Sequence, residues 1–203
     1  MKKLFVLILL SFYVISNLNA QNHRDNKGKF SLSVQAGVSL MPALYYRNAT
    51  KPDMVDKVPP AFLFDADYYI IDAVSVGLSF AYQQASFIDE GYWYQVIGGI
   101  KKEDVSIKLT RMNFAYRILF HYVNKEHVAL YSGVRIGMNI HNVSDNSTDP
   151  NYVAEYGSFR EVGFAPRLIG LGIKLFIVED LSIVTEIGIG YPSFMTFGLS
   201  YRL

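Results

Sequence analysis

The sequence predicts an all-β fold: an eight-stranded, antiparallel, up-and-down β-barrel that crosses a membrane, preceded by a cleavable signal peptide. Three observations predict it. Apolar residues recur at every second position in eight segments, the period of a strand with two unlike faces. Apolar residues make up 51% of the chain and charged ones only 18%, yet no uncharged apolar run of roughly 18 residues follows Ile15, so the greasy residues are spread over strands rather than gathered into helical spans. The connections between the segments alternate between short and long, as in a barrel with turns at one end and loops at the other.

The chain opens with "MKKLFVLILLSFYVISNLNA": two lysines, an apolar stretch from Leu4 to Ile15, then small or polar residues to Ala20. This is the layout of a secretory signal peptide over residues 1–20, cleaved before Gln21. The stretch is short of the roughly 20 residues that a spanning helix needs. Residues 21–28 then form a short N-terminal segment, and 29–203 a single barrel domain. The chain has no cysteine, which excludes disulfides, thiolate metal sites, thiol nucleophiles and lipid attachment at a lipobox cysteine. Nineteen basic residues stand against 18 acidic ones, two of the basic ones in the signal peptide, so nothing in the charge points to nucleic acid.

The strands follow in order. "KFSLSVQAGV" sets Phe30, Leu32, Val34, Ala36 and Val38 against Ser31, Ser33, Gln35 and Gly37. "AFLFDADYYI" sets Phe62, Phe64, Ala66, Tyr68 and Ile70 against Asp65 and Asp67, and "VSVGLSFAYQ" sets Val74, Val76, Leu78, Phe80 and Tyr82 against Ser75, Gly77, Ser79, Ala81 and Gln83. "TRMNFAYRILFHY" places Met112, Phe114, Tyr116, Ile118, Phe120 and Tyr122 on one face and Arg111, Asn113, Ala115, Arg117 and His121 on the other. In "VALYSGVRIGMNI" the sets are Val128, Leu130, Val134, Ile136, Met138, Ile140 and Tyr131, Gly133, Arg135, Gly137, Asn139. "RLIGLGIKLFI" puts Ile169, Leu171, Ile173 and Leu175 opposite Gly170, Gly172 and Lys174, and "LSIVTEIGIG" puts Leu181, Ile183, Ile187 and Ile189 opposite Ser182, Glu186, Gly188 and Gly190. The eighth strand, "SFMTFGLSYRL", alternates Met195, Phe197, Leu199, Tyr201 and Leu203 with Thr196, Gly198, Ser200 and Arg202. Short links fall at 71–73, 124–127 and 178–180, and long ones near 39–60, 84–104 and 141–158; the tight "GYPS" breaks the alternation.

The composition of the second face decides which side looks outward. A soluble barrel such as a lipocalin has an apolar interior and a charged exterior. Here the second face is Gly, Ser, Thr and Asn with scattered charges, and it lacks the Lys and Glu density of a solvated surface. Lipid accepts the other face, and a closed barrel leaves no unpaired edge in hydrocarbon. An eight-stranded barrel is only wide enough to be filled by side chains, so glycines must alternate with large inward residues. The inward charges are Asp65, Asp67, Arg111, Arg117, Arg135, Lys174, Glu186 and Arg202, and the acidic three are candidate partners for the basic five. They form either a structural ion-pair plug or a gated ion path.

Eight such strands behind a signal peptide, with "LYSGVRIGMNI" and "GLSYRL", resemble the porin-like outer-membrane β-barrel domain family of Gram-negative bacteria, the small OmpA/OmpX type in a style common among Bacteroidetes. The resemblance covers residues 28–203. It implies a chain of the bacterial cell outer membrane, in contact with lipid and lipopolysaccharide, monomeric, without cofactor or bound metal, and handed to the barrel-assembly machinery during biogenesis. The family's assembly signal at the C-terminus is matched at Gly198, Tyr201 and Leu203. Phe197 stands where the pattern has a polar residue, and Leu203 replaces the usual terminal Phe.

None of His23, His121, His127 and His141 has the spacing of a metal motif. His141 lies near Ser144 and Asp145, residue types used by lipid A-modifying barrels, but a polar loop accounts for all three. The sequons at Asn48, Asn142 and Asn146 read as turn formers. Tyr45, Tyr46, Tyr68, Tyr69, Tyr92, Trp93, Tyr94 and Tyr122 fall near strand ends or in loops, where some would form interfacial girdles; "GYWYQVIGG" at 91–99 is alternatively a binding loop. The sequence therefore favours a non-enzymatic structural or surface-interaction role (membrane integrity, adhesion or recognition through the long loops), with a small-solute or ion pore as alternative and a lipid A-modifying enzyme third.

Overall fold

The computed structural model describes residues 25–39, 54–57, 59–96, 99–146 and 159–203. The signal peptide, residues 21–24, His23, Tyr45, Tyr46 and the sequon at 48–50 lie outside the described residues, as do Ser147 and Thr148 of another sequon and the side chains of Tyr92, Trp93 and Tyr94.

Ten strands are described: β1 (Phe30–Val38), β2 (Met54–Lys57), β3 (Ala61–Ile71), β4 (Val74–Val96), β5 (Gly99–Asn124), β6 (Val128–Asn146), β7 (Phe159–Phe164), β8 (Arg167–Phe176), β9 (Leu181–Gly190) and β10 (Met195–Arg202). Eight of them form a closed ring of antiparallel neighbours, β1-β3-β4-β5-β6-β8-β9-β10, with β10 returning to β1. These are the eight predicted segments. The short β2 and β7 pair only with the outer reaches of β4 and β6.

Burial alternates along β1 and along β3 as far as Ile70, and the exposed set is the apolar one. Tyr116 and Ile189 are 73% and 75% exposed, whereas Asp67 and Glu186 are 1% and 0% exposed. Outward aromatic rings meet across strands: Phe30 and Tyr68, paired in register, have centroids 4.8 Å apart, and Phe80 and Phe114 4.9 Å. Such cross-strand pairs stabilise a sheet through side-chain contact as well as through its ladder. The interior is filled rather than hollow. Leu119, Tyr131, Ile169 and Val184 pack as one fully buried cluster inside the ring, and Ala61, Leu63 and Ala81 as a second.

Three departures from the sequence reading have local causes. The segment 84–104, expected as a loop, continues as β4 and β5, which stay paired as far as Val96 and Gly99. Likewise 141–146 prolongs β6, and 159–164 forms β7. Past the lipid the alternation is no longer needed, but backbone pairing across a hairpin still satisfies the N–H and C=O groups that face the partner strand, and water takes the rest. The third departure lies in β8. Its pairing with both β6 and β9 slips by one residue at Gly170, a β-bulge that inverts the side-chain parity. Ile169, expected outside, is therefore buried, Gly170 faces out, and Arg167 enters the barrel. Tyr69, a girdle candidate, also points inward and is 3% exposed.

The turns at 72–73, 125–127 and 177–180 share one end of the barrel with both strand termini of the closing seam. There Asn26, 1% exposed, is a latch. Its Nδ2 donates to Asn124 Oδ1 at 2.9 Å, its Oδ1 accepts from Arg202 Nη1 at 2.6 Å, and its backbone N–H donates to Asp72 Oδ1 at 2.7 Å.

Candidate functional site in the barrel interior

Straight alternation on β3, β5 and β9, with the bulge in β8, aims five charged side chains at one level of the lumen. Arg117 is the hub. Its Nη1 lies 2.6 Å from Asp65 Oδ2, its Nε 3.1 Å from Asp67 Oδ1, and its Nη2 2.7 Å from Glu186 Oε1. Glu186 also accepts from Arg167 Nη1 at 2.9 Å and from Tyr131 Oη at 2.9 Å. Asp65 accepts further from Gln35 Nε2 at 2.7 Å and from Ser79 Oγ. No side chain of these ion pairs is more than 2% exposed.

The glycines on the inner face make the geometry possible. Gly172 pairs with Tyr131 across β6 and β8, and a Cβ there would run into the tyrosine ring. The ring lies over the glycine and carries its hydroxyl to Glu186. Charges this deep cost several kcal/mol each unless they are paired and hydrogen-bonded. The fork of a guanidinium meets three carboxylates at once, which an ammonium does not.

The other predicted inward charges go elsewhere. Lys174 Nζ donates to Ser31 Oγ at 2.8 Å and to Tyr69 Oη at 3.4 Å. Arg111 donates to Gln83 Oε1 at 3.1 Å and lies over the Tyr191 ring at 4.8 Å, closing the end opposite the short turns. Arg202 takes a turn carboxylate, Asp180 Oδ1, at 2.7 Å rather than one of the inner three. Arg135 is 1% exposed and has no hydrogen bond or ion pair among the described residues. Arg167 was missing from the expected set because the bulge reverses its side.

His141 and Ser144 stand three residues apart on an unbroken stretch of β6 and so face opposite sides of the sheet, which separates the histidine from the serine. His141 instead sits edge-on to Tyr191, ring centroids 6.2 Å apart. Among the described residues no group of His, Asp and Glu has the arrangement of a metal site. At the seam, Gly198 pairs with Gln35, Tyr201 faces out, and Leu203 exchanges two backbone hydrogen bonds with Phe30, at 2.8 and 3.2 Å.

A closed antiparallel ring with an apolar outer surface and a charged, filled lumen is the reverse of a water-soluble protein; it defines the membrane-spanning class of β-barrel. No protein-family model and no curated protein matches the sequence. Among solved structures the chain is similar to Ail, the attachment invasion locus protein of Yersinia pestis, in complex with the heparin analogue sucrose octasulfate, at 14% identity over 87% of this chain and 99% of that one, TM-score 0.49. It is similar also to OprG of Pseudomonas aeruginosa (10% identity, 88% and 97% covered, TM-score 0.49) and to the N-terminal β-barrel domain of OprF of the same organism (11%, 89% and 100%, 0.46).

Proposed function

We propose that the chain is a monomeric outer-membrane barrel whose lumen is a structural plug and whose working surface is the end bearing the β4–β5 hairpin and the β6–β7 pair. The short turns then face the periplasm and the long strands stand out from the cell, against lipopolysaccharide, after export by the signal peptide and insertion by the barrel-assembly machinery through Gly198, Tyr201 and Leu203. The observation that carries this reading is Arg117 tied to Asp65, Asp67 and Glu186 above the packed layer of Leu119, Tyr131, Ile169 and Val184. A lumen so occupied serves stability and the display of its outer strands rather than passage. Reconstituted into planar bilayers, the protein is expected to show no steady conductance, and a stable open level would overturn the plug.

The structural and surface roles separate by complementation. A deletion strain is expected to lose resistance to detergent. If a chain with 86–104 replaced by a two-residue turn restores it, the barrel itself is the agent; if only the full chain does, the hairpin is.

A further inference from the structure

The outer wall of the barrel is not evenly covered. Across β1, β3, β4, β5, β6 and β7, register partners line up the outward residues in neighbouring rows. One row is Leu32, Ala66, Leu78, Tyr116 and Ile136, in which Ala66 is the one small side chain. The next row toward the hairpin end carries Phe64, Phe80, Phe114 and Phe164. Between the two rows lies an apolar groove of about 890 Å³, floored by the backbone of inward residues such as Ser33, Ser79 and Gly137. Six strands spaced about 4.8 Å apart make it roughly 24 Å long, enough for most of a fatty acyl chain. Val34, which starts the phenylalanine row, stands mid-strand in β1, whereas Phe164 lies past Arg167, the outermost residue of β8. The groove therefore climbs the wall toward the hairpin end.

Above that end the wall changes chemistry within one row. Tyr82, Met112, Ile140 and Val162 continue the apolar surface, and the row beyond them is Gln84, Thr110, Asn142 and Arg160. The row after that holds Ser86, Lys108 and Ser144. Amides, hydroxyls and two exposed cations thus begin where the hydrocarbon surface stops, and Arg160 is about 13 Å along β7 from Phe164. No carboxylate stands among these residues; Glu161 belongs to the other parity of β7, across from His141. On the far wall the outward positions at the same end, Leu168, Ile189 and Met195, are apolar. The groove and the polar rows therefore share one side of the barrel. Bulk lipid tails cover any apolar wall and call for no cations beside a groove. A lipid with a phosphorylated sugar head uses every part: an acyl chain in the groove, sugar hydroxyls against Thr110 and Asn142, and a phosphate on Arg160 and Lys108 through charge-assisted hydrogen bonds. We propose that this wall holds one phosphorylated glycolipid of the outer leaflet. The proposal rests on the reading above in one respect, that the hairpin end is the outer one.

The test uses the full mature chain refolded from denaturant into detergent, free of lipid, then mixed with lipid A bearing its phosphates, with dephosphorylated lipid A, or with phosphatidylglycerol. Native mass spectrometry counts what stays bound as the detergent is stripped. One phosphorylated lipid A per barrel is expected, with roughly tenfold less of the other two retained, the loss of about one charge-assisted hydrogen bond. Ala66→Phe, which fills the groove from a lipid-exposed position, and Arg160→Gln are each expected to lower retention of lipid A as much. Ile189→Phe, outward on the far wall, is expected to leave it unchanged. All three positions face away from the lumen, so the barrel is expected to keep its gel shift before boiling; should Ala66→Phe not fold, Ala66→Leu takes its place. Equal retention of the three lipids, or retention unchanged by the groove substitution or by Arg160→Gln, overturns the site. Orientation is tested separately by labelling Ser106→Cys on intact cells with an impermeant maleimide. A protected thiol there overturns the choice of outer end, while retention in detergent still decides the site.

Discussion

Arg117→Leu is expected to remove about 3–5 kcal/mol of stability, because it leaves Asp65, Asp67 and part of Glu186 as buried carboxylates without their counter-charge. The loss comes less from the ion pairs themselves than from what is stranded. A buried ion pair exchanged whole for apolar residues is often close to neutral, whereas one partner removed alone is strongly destabilising. The measurement is a urea titration followed on unboiled denaturing gels, where a closed barrel and its unfolded chain run apart. Arg117→Lys should recover only part of the loss, since one ammonium does not span three separate oxygens. Adding Asp65→Asn and Asp67→Asn to Arg117→Leu should recover more, since the stranded charges go with it. A titration midpoint for Arg117→Leu equal to wild type would mean that the hub contributes nothing.

Gly198→Ala is the second large effect, and it separates two explanations of one glycine. By resemblance, Gly198 belongs to an assembly signal. By geometry, it sits where β10 closes on β1, and a Cβ there meets the backbone carbonyl of Val34 and lies 2.6 Å from Gln35 Cα. Backbone cannot step aside as a flexible side chain does, so the seam must part locally, at about 1–3 kcal/mol by analogy with overpacked cores. Valine should be worse than alanine. Refolding into detergent without any cellular factor is the discriminating measurement. A defect there assigns the glycine to the seam. Normal refolding combined with failed insertion in cells would assign it to recognition.

Much of this was legible in advance because a lipid-facing sheet leaves little freedom to the pattern. In β1, β4, β5, β9 and β10 every apolar residue on one parity had to face hydrocarbon, so inward Ser, Gly, Glu and Arg followed by elimination, and no bulge disturbs the spanning part of those runs before Phe120. Arg167 was not legible by the same rule, because parity carried straight through "RLIGLG" sends it to lipid. A parity that places an arginine in hydrocarbon is itself the sign of an inversion, and the glycine at 170 is where one fits. The partners within the lumen were beyond the sequence for another reason. They depend on the stagger of strands around the ring, which brings β3 and β9 to Arg117 from opposite sides. The extension of β4 and β5 past residue 84 was hidden because exposed backbone pairing needs no apolar face.

The double hydrogen bond between Phe30 and Leu203 has a mechanical consequence. Both ends of the ring sit side by side on antiparallel neighbours, so a force drawing them apart loads the seam one hydrogen bond at a time, as in opening a zip, instead of shearing the whole row together. For the same reason the position of the cut is a matter of connectivity rather than of architecture. A chain whose ends were bridged across that seam and reopened at the turn at 72–73 would trace the same ring.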